Sequence, residues 1–151
     1  MSLTSINLYT LKLIRLARRR YDLDTLQMTS PRVCFKTLEL FLDLSSEPVE
    51  NFGLISLNLK NKITGIQIIG IGDLEQVNVR PREVFAAALH NNAGAIIVFH
   101  NHPSGEVEPS REDIRMTRKL KAAGELMDIR VLDHLIIGQG RFCSLKEKGW
   151  M

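Results

Sequence analysis

Apolar residues recur at helical spacing near the start of the chain and in compact strand-like runs after about residue 50. From Thr4 to Arg20 the positions Leu8, Leu11 and Ile14 predict a first helix, which closes in Arg18-Arg19-Arg20. Ser30-Pro31 supplies a cap and a first-turn proline for a second helix carrying Val33, Leu38, Phe41 and Leu42 inward, and Ser45-Ser46-Glu47-Pro48 breaks it. Phe52 to Asn58 and Ile63 to Ile71 then predict two strands joined at Lys60-Asn61-Lys62, with Gly70 and Gly72 at the exit. A short strand near Val77 to Val79 leads to Pro81 and a helix over Glu83 to His90, and Gly94 separates that helix from a buried strand over Ala95 to Phe99. A helix from about Arg111 to Met127 and strands at Ile129 to Ile137 and Arg141 to Leu145, turning at Gly138-Gln139-Gly140, complete the pattern. Interleaving of this kind predicts an α/β fold, a mixed β-sheet packed by helices. The expected organisation is an N-terminal helical segment over 1–46 followed by one domain over 47–151.

Length and composition fit one soluble globular domain. The 151 residues are 44% hydrophobic and 25% charged, values of an ordinary globular protein. No run is apolar for long enough to span a bilayer, and no charged start, apolar block and small-residue cleavage site is visible, so the expected location is cytoplasmic. Cys34 and Cys143 form no Cys-x-x-Cys pattern and read as buried thiols in a reducing compartment. A net charge of +3 and the cluster Arg15, Arg18, Arg19 and Arg20 invite a nucleic-acid reading. With aromatics at 6% there is no stacking platform, and a short basic run is commonly a solvated helix face, so only weak DNA association is expected.

Candidate chemistry is concentrated in the fourteen residues from His100 to Asp113. The strand over Ala95 to Phe99 delivers His100 and His102, two apart and therefore on one face. The Pro103-Ser104-Gly105 turn follows, and Ser110 can cap a helix whose first turn carries Asp113. Two imidazoles and a carboxylate with an open fourth position describe a catalytic rather than a structural zinc site. Ser110-x-x-Asp113 also fits a capping box, which for that pair alone is the simpler reading. Joint occurrence of strand end, histidine pair, turn and helix-start acid favours a site.

His100, His102, Ser110 and Asp113 match position for position the His-x-His, seven residues, Ser-x-x-Asp spacing that resembles the JAMM signature of MPN-type metalloproteases. The longer wording His100-Asn101-His102-Pro103-Ser104-Gly105, with Pro109-Ser110 and Asp133-His134-Leu135-Ile136-Ile137-Gly138, resembles the RadC family, historically labelled as DNA repair proteins. Val79 to Phe85, Ala87 to Leu89 and Asn92-Ala93 resemble it too, so the likeness runs from about Val49 to the C-terminus. The resemblance implies the three-layer, cytidine-deaminase-like architecture of MPN/JAMM domains, zinc held by His100, His102 and Asp113, and hydrolysis of a peptide or isopeptide bond in a protein or peptide substrate. It also implies a glutamate base on an earlier strand, matched here by Glu50. Glu47 is close by, and an acid ahead of a strand is often simply solvated, so geometry decides. Ser110 has two compatible roles, helix cap and donor to the oxyanion of the tetrahedral intermediate.

Other residues carry plainer readings. His134 is either a partner of a metal ligand or a satisfied, partly buried histidine on a strand, and it is left outside the site. His90 suits a helix C-terminus, Arg80 and Arg82 a helix start, and Glu106 and Glu108 a solvated loop. The helix-hairpin-helix segment of fuller RadC proteins, with its Gly-rich turns, is not found in this sequence. That lowers the expectation of DNA binding inherited from the resemblance, and a DNA-associated accessory module with the same fold, as the family's historical repair label suggests, stands as the alternative to the hydrolase. A nucleobase deaminase lacks its Pro-Cys-x-x-Cys ligands here. Substrate identity and oligomeric state are not legible in the sequence.

Overall fold

A computed structural model of the chain describes residues 27–72 and 79–151. The helix expected over Thr4 to Arg20, with its arginine cluster, lies outside the described residues, as does most of the strand expected at Val77 to Val79. Val79 itself is buried non-strand backbone. Elsewhere the elements follow the expected order to within two residues at either end.

Helix α1 (Pro31–Leu42) starts where Ser30 accepts the Val33 N–H at 3.3 Å with Pro31 at the first position, and stops at Asp43, whose φ of 49° is left-handed. It buries Cys34, Thr37 and Leu38, spaced at three and four residues on one face. Strands β1 (Asn51–Leu57) and β2 (Ile63–Ile71) form an antiparallel hairpin. The Asn58 side-chain oxygen accepts from the N–H groups of Lys60 and Lys62, which shapes the turn. Helix α2 (Pro81–His90) begins in a capping arrangement between Arg80 and Glu83, whose side chains also pair at 2.6 Å. The arginine there is structural, as its place before a helix suggests.

Strand β3 (Ala95–Asn101), helix α3 (Arg111–Leu126), strand β4 (Arg130–Gly138) and strand β5 (Arg141–Ser144) follow. The sheet order is β2-β1-β3-β4-β5, antiparallel except for the parallel pair β3 and β4, which α3 connects. Every residue of β3 is buried, because helices cover both faces of this central strand. Phe52, Leu54, Ile96 and Val98 pack under α2 and α3 with Val84, Phe85, Ala88 and Leu120. Ile55, Leu57, Ile97 and Phe99 pack on the other face against Cys34 and Leu38 of α1. The result is the expected mixed sheet between helical layers. Strand alternation assigns even-numbered β3 residues to the α3 side, which decides where His100 points. Among the described residues, no helix is long and apolar enough to cross a membrane.

Both cysteines are free and buried. Burial, reinforced by the charge of Asp133, pushes the Cys34 thiol up to about 12, and burial also raises Cys143. Native protein at pH 8 is therefore expected to label with a thiol reagent only at its unfolding rate. Fast stoichiometric labelling without denaturant would contradict this packing.

Candidate metal centre

The site forms where the C-terminal end of β3 meets the N-terminus of α3. In β3, Phe52 of β1 pairs with His100, and their rings stack at a centroid distance of 6.0 Å. Continuing that register by two residues carries Glu50 opposite His102 on the same face. Past the strand, the His102 N–H donates to the Ile137 carbonyl at 2.8 Å, so the loop is still tied to β4. The Gly105 N–H then donates to the His102 carbonyl, closing a turn whose glycine has φ +84°.

Three donor groups converge. His100 Nε2 lies 3.0 Å from His102 Nε2 and 3.2 Å from Asp113 Oδ1, and His102 Nε2 lies 3.7 Å from Asp113 Oδ2. All three ligand atoms fall within 4.8 Å of one another, a grouping that could hold a metal ion. The His100 side chain is sealed at 1% exposure, whereas His102 and Asp113 keep 20% and 16%, so the cluster opens to solvent on one side only. His102 Nδ1 is 2.7 Å from the Glu106 carbonyl. A carbonyl only accepts, so the proton sits on Nδ1 and the Nε2 lone pair faces the cluster. A lone pair and a carboxylate at this spacing fit a cation.

Asp113 does two things at once. Its Oδ2 accepts from the Ser110 N–H and hydroxyl, both at 2.7 Å, while Ser110 Oγ accepts from the Asp113 N–H at 3.1 Å. The capping box is real, and it leaves Oδ1 turned to His100. Burial pushes the Asp113 carboxyl up, but a protonated His100, whenever that ring takes up a second proton, and the Ser110 bonds outweigh it and hold the group below the usual carboxylate range. Burial and neighbouring His100 lower His102, keeping it neutral as a ligand must be. At Glu50 burial raises the carboxyl, against the pull of His100 and with a further push from Asp113. It is the strand register, continued past Phe52, that brings Glu50 to this end of the sheet. Glu106 and Glu108 are exposed and Ser104 bonds the Glu106 N–H, as loop-shaping residues do.

Three residues given no place in the site by the sequence reading are built into it. Asn101, between the histidines, accepts from the Asn51 N–H at 2.7 Å and donates to the Val49 carbonyl at 3.0 Å, holding the chain on both sides of Glu50. His134 is fully buried, with Nε2 at 2.8 Å from His100 Nδ1 and Nδ1 at 2.6 Å from Thr117 Oγ1. Thr117 in turn donates to the Asp113 carbonyl at 2.6 Å. His134 thus touches a candidate ligand directly, and it is completely rather than partly buried. Its neighbour Asp133 belongs to a different network, accepting from the Ser144 hydroxyl and the N–H groups of His134 and Lys146. A 510 Å³ cavity lined by Leu59, Gly94, Lys121, Ile129 and Arg130 lies at the other end of β3 and β4 and contains none of these groups.

The loop depends on a close backbone approach. A Cβ built at Gly138 would lie 2.6 Å from the Gly105 carbonyl oxygen and 2.8 Å from its carbon. Gly138→Ala is expected to displace the turn that carries the Glu106 carbonyl, lowering stability by about 1–3 kcal/mol and loosening His102. Denaturant unfolding and zinc titration of the variant check this, and wild-type values in both would show that the loop yields freely.

Comparison with known proteins agrees with this geometry. The family model described as RadC-like JAB domain matches residues 28–150, starting earlier than the motif resemblance at Val49. A UPF0758 protein of Caldanaerobacter subterraneus subsp. tengcongensis is 54% identical over 101 residues, 67% of this chain and 43% of that protein. A UPF0758 protein of Chloroflexus aurantiacus is 51% identical over 110 residues, 73% of this chain and 48% of the relative. One from Moorella thermoacetica is 54% identical over 99 residues, 66% and 43%. The chain spans about half the length of the curated relatives it matches. Because the family match takes in the strand end that carries the histidines, the loop beyond it and the helix that carries Asp113, the chain belongs to the RadC-like JAB domain family.

Proposed function

We propose that the chain is a zinc-dependent metallohydrolase that cleaves peptide or isopeptide bonds in a protein or peptide substrate. The observation that carries this reading is the convergence of His100 Nε2, His102 Nε2 and the Asp113 carboxylate within 4.8 Å of one another, open to solvent on one side. His100, His102 and Asp113 would hold the ion. When bound, zinc supplies Lewis acidity, which polarises a scissile carbonyl and acidifies water toward a pKa of about 7. The rest falls to the chain. Glu50 takes a proton from the attacking water as its oxygen bonds to the carbonyl carbon, and returns that proton to the amine nitrogen as the carbon–nitrogen bond breaks. Its burial makes the carboxylate a better proton acceptor than an exposed glutamate. Ser110 has the hydroxyl to donate to the oxyanion, and doing so means releasing Asp113 Oδ2, to which it now donates. Its capping role through Oγ as acceptor persists in either state.

The test uses the purified chain stripped of metal and titrated with zinc against linear peptides and isopeptide-linked substrates. Hydrolysis that rises to one equivalent of zinc and stops with chelator supports the reading. Absence of zinc-dependent cleavage, together with DNA binding that weakens steeply with salt, would replace it by a binding module.

A further inference from the structure

The candidate ligand His100 is fully buried, and on its far side three polar groups stand in line. They are His134 on β4 and, both on α3, Thr117 and the Asp113 main chain, so two elements supply them. We propose that Thr117 and His134 form a proton-ordering relay that fixes His100 in the tautomer able to bind metal, making both of them positioning residues for the site. This rests on the metal-centre reading above.

The order of protons follows from counting donors. The Thr117 hydroxyl has one proton and two close neighbours, the Asp113 carbonyl and His134 Nδ1, each at 2.6 Å. The carbonyl can only accept, and two unprotonated oxygens at that distance repel, so the hydroxyl proton goes to Asp113. Thr117 Oγ1 then accepts, and His134 must present Nδ1–H. The His134 ring has no exposed surface and no carboxylate among its hydrogen-bond partners, so it stays neutral with its lone pair on Nε2. That lone pair faces His100 Nδ1 at 2.8 Å, which must therefore carry the proton. His100 is left with a lone pair on Nε2, directed at His102 Nε2 and Asp113 Oδ1. The Glu106 carbonyl imposes the same tautomer on His102 independently.

Two nitrogen lone pairs thus face each other at 3.0 Å with no proton between them, beside a carboxylate. The arrangement is repulsive in itself, and a cation relieves it. The relay also ties the ligands together, because Thr117 grips the turn of α3 that carries Asp113 while its oxygen orients the ring chain ending at His100. Outer partners of metal ligands act in this way by fixing ring orientation and tautomer. Here the acceptor for His100 is a neutral imidazole, so Asp113 is the sole anion among these contacts.

Long-range ¹⁵N-imidazole NMR on the metal-free chain at neutral pH reads the tautomers directly. The expected result is a protonated Nδ1 and bare Nε2 on both His100 and His134. Thr117→Val keeps the side-chain shape and removes the acceptor, so the His100 tautomer is expected to shift and zinc affinity to fall roughly 10- to 100-fold, with Thr117→Ser restoring both. A proton on Nε2 of His100 in the wild-type chain overturns the proposal. So does an unchanged His100 tautomer in Thr117→Val, whatever happens to affinity, since the loss would then be one of packing. If the tautomers are as expected and the wild-type chain takes up no zinc, the metal reading fails and the relay stands.

Discussion

Purified His100→Ala is expected to contain no zinc, and His102→Ala likewise, when each is prepared without chelator or affinity tag and its metal is measured by mass spectrometry beside the wild-type chain. Each substitution removes one of three candidate protein ligands, and two ligands do not make a catalytic zinc site. The loss should exceed the roughly 10- to 100-fold attached to outer partners of a ligand. Stability separates the two variants. His100 is sealed between Phe52 and His134, so its removal leaves a cavity and strips His134 Nε2 of its partner. A buried polar atom left unpaired costs about 1–3 kcal/mol, and the cavity adds to it. His102 keeps 20% exposure, its ring bonds outside the cluster only to the Glu106 carbonyl of the loop, and its N–H bond to Ile137 is main-chain, so His102→Ala should lose metal with little change in the unfolding midpoint. Near-stoichiometric zinc in either variant would remove that histidine from the ligand set. Equal destabilisation of both would show that the burial difference does not govern this site.

Much of the fold could be read from the chain because its local signals agree. Ser30-Pro31 starts α1, the apolar run from Ala95 to Phe99 is the doubly covered strand β3, and Ser110-x-x-Asp113 starts α3. His100, His102 and Asp113 were legible for the same reason. They lie within fourteen residues, where strand alternation and a helix cap nearly fix the geometry. Capping and metal binding looked like rival accounts of Asp113, and they are compatible because a carboxylate has two oxygens and the cap occupies only Oδ2. Thr117, His134 and Asn101 were not assigned roles, although the wording Asp133-His134 and His100-Asn101-His102 contained two of them. Their roles depend on contacts across 17 and 34 residues for His134 and 50 for Asn101. Such contacts need the sheet register and the seating of α3. A weak signal existed for His134, an ionisable residue at a strand position due to face the α3 side. By itself that position does not separate a ligand's partner from a satisfied core histidine.

Glu50→Gln is expected to keep zinc and lose turnover by roughly 10²- to 10⁴-fold. Glutamine preserves the size of the side chain and its acceptor oxygen but cannot take up a proton from water, so the substitution isolates proton transfer from metal binding. Place and environment favour Glu50 for the task. It precedes β1 on the face shared with His100 and His102, and Asn101 grips the main chain on either side of it through the Asn51 N–H and the Val49 carbonyl. Positioning of this kind matters because a base must lie within hydrogen-bond reach of the proton it removes. Partial burial raises the carboxyl, which strengthens it as an acceptor. The competing acid, Glu47, ends the short turn after α1, and its N–H bonds the Leu44 carbonyl. Glu47→Gln should therefore leave hydrolysis unchanged and serves as the control. Steady-state rates on a peptide cleaved by the wild-type chain, set beside the zinc content of each variant, decide the matter. Retained turnover in Glu50→Gln would remove it as the base. Loss of zinc along with turnover would make Glu50 a support of the metal rather than a carrier of protons. Kept metal with lost chemistry is the outcome expected if Glu50 is the base, because the glutamine keeps the side chain's size and loses only its capacity to take up a proton.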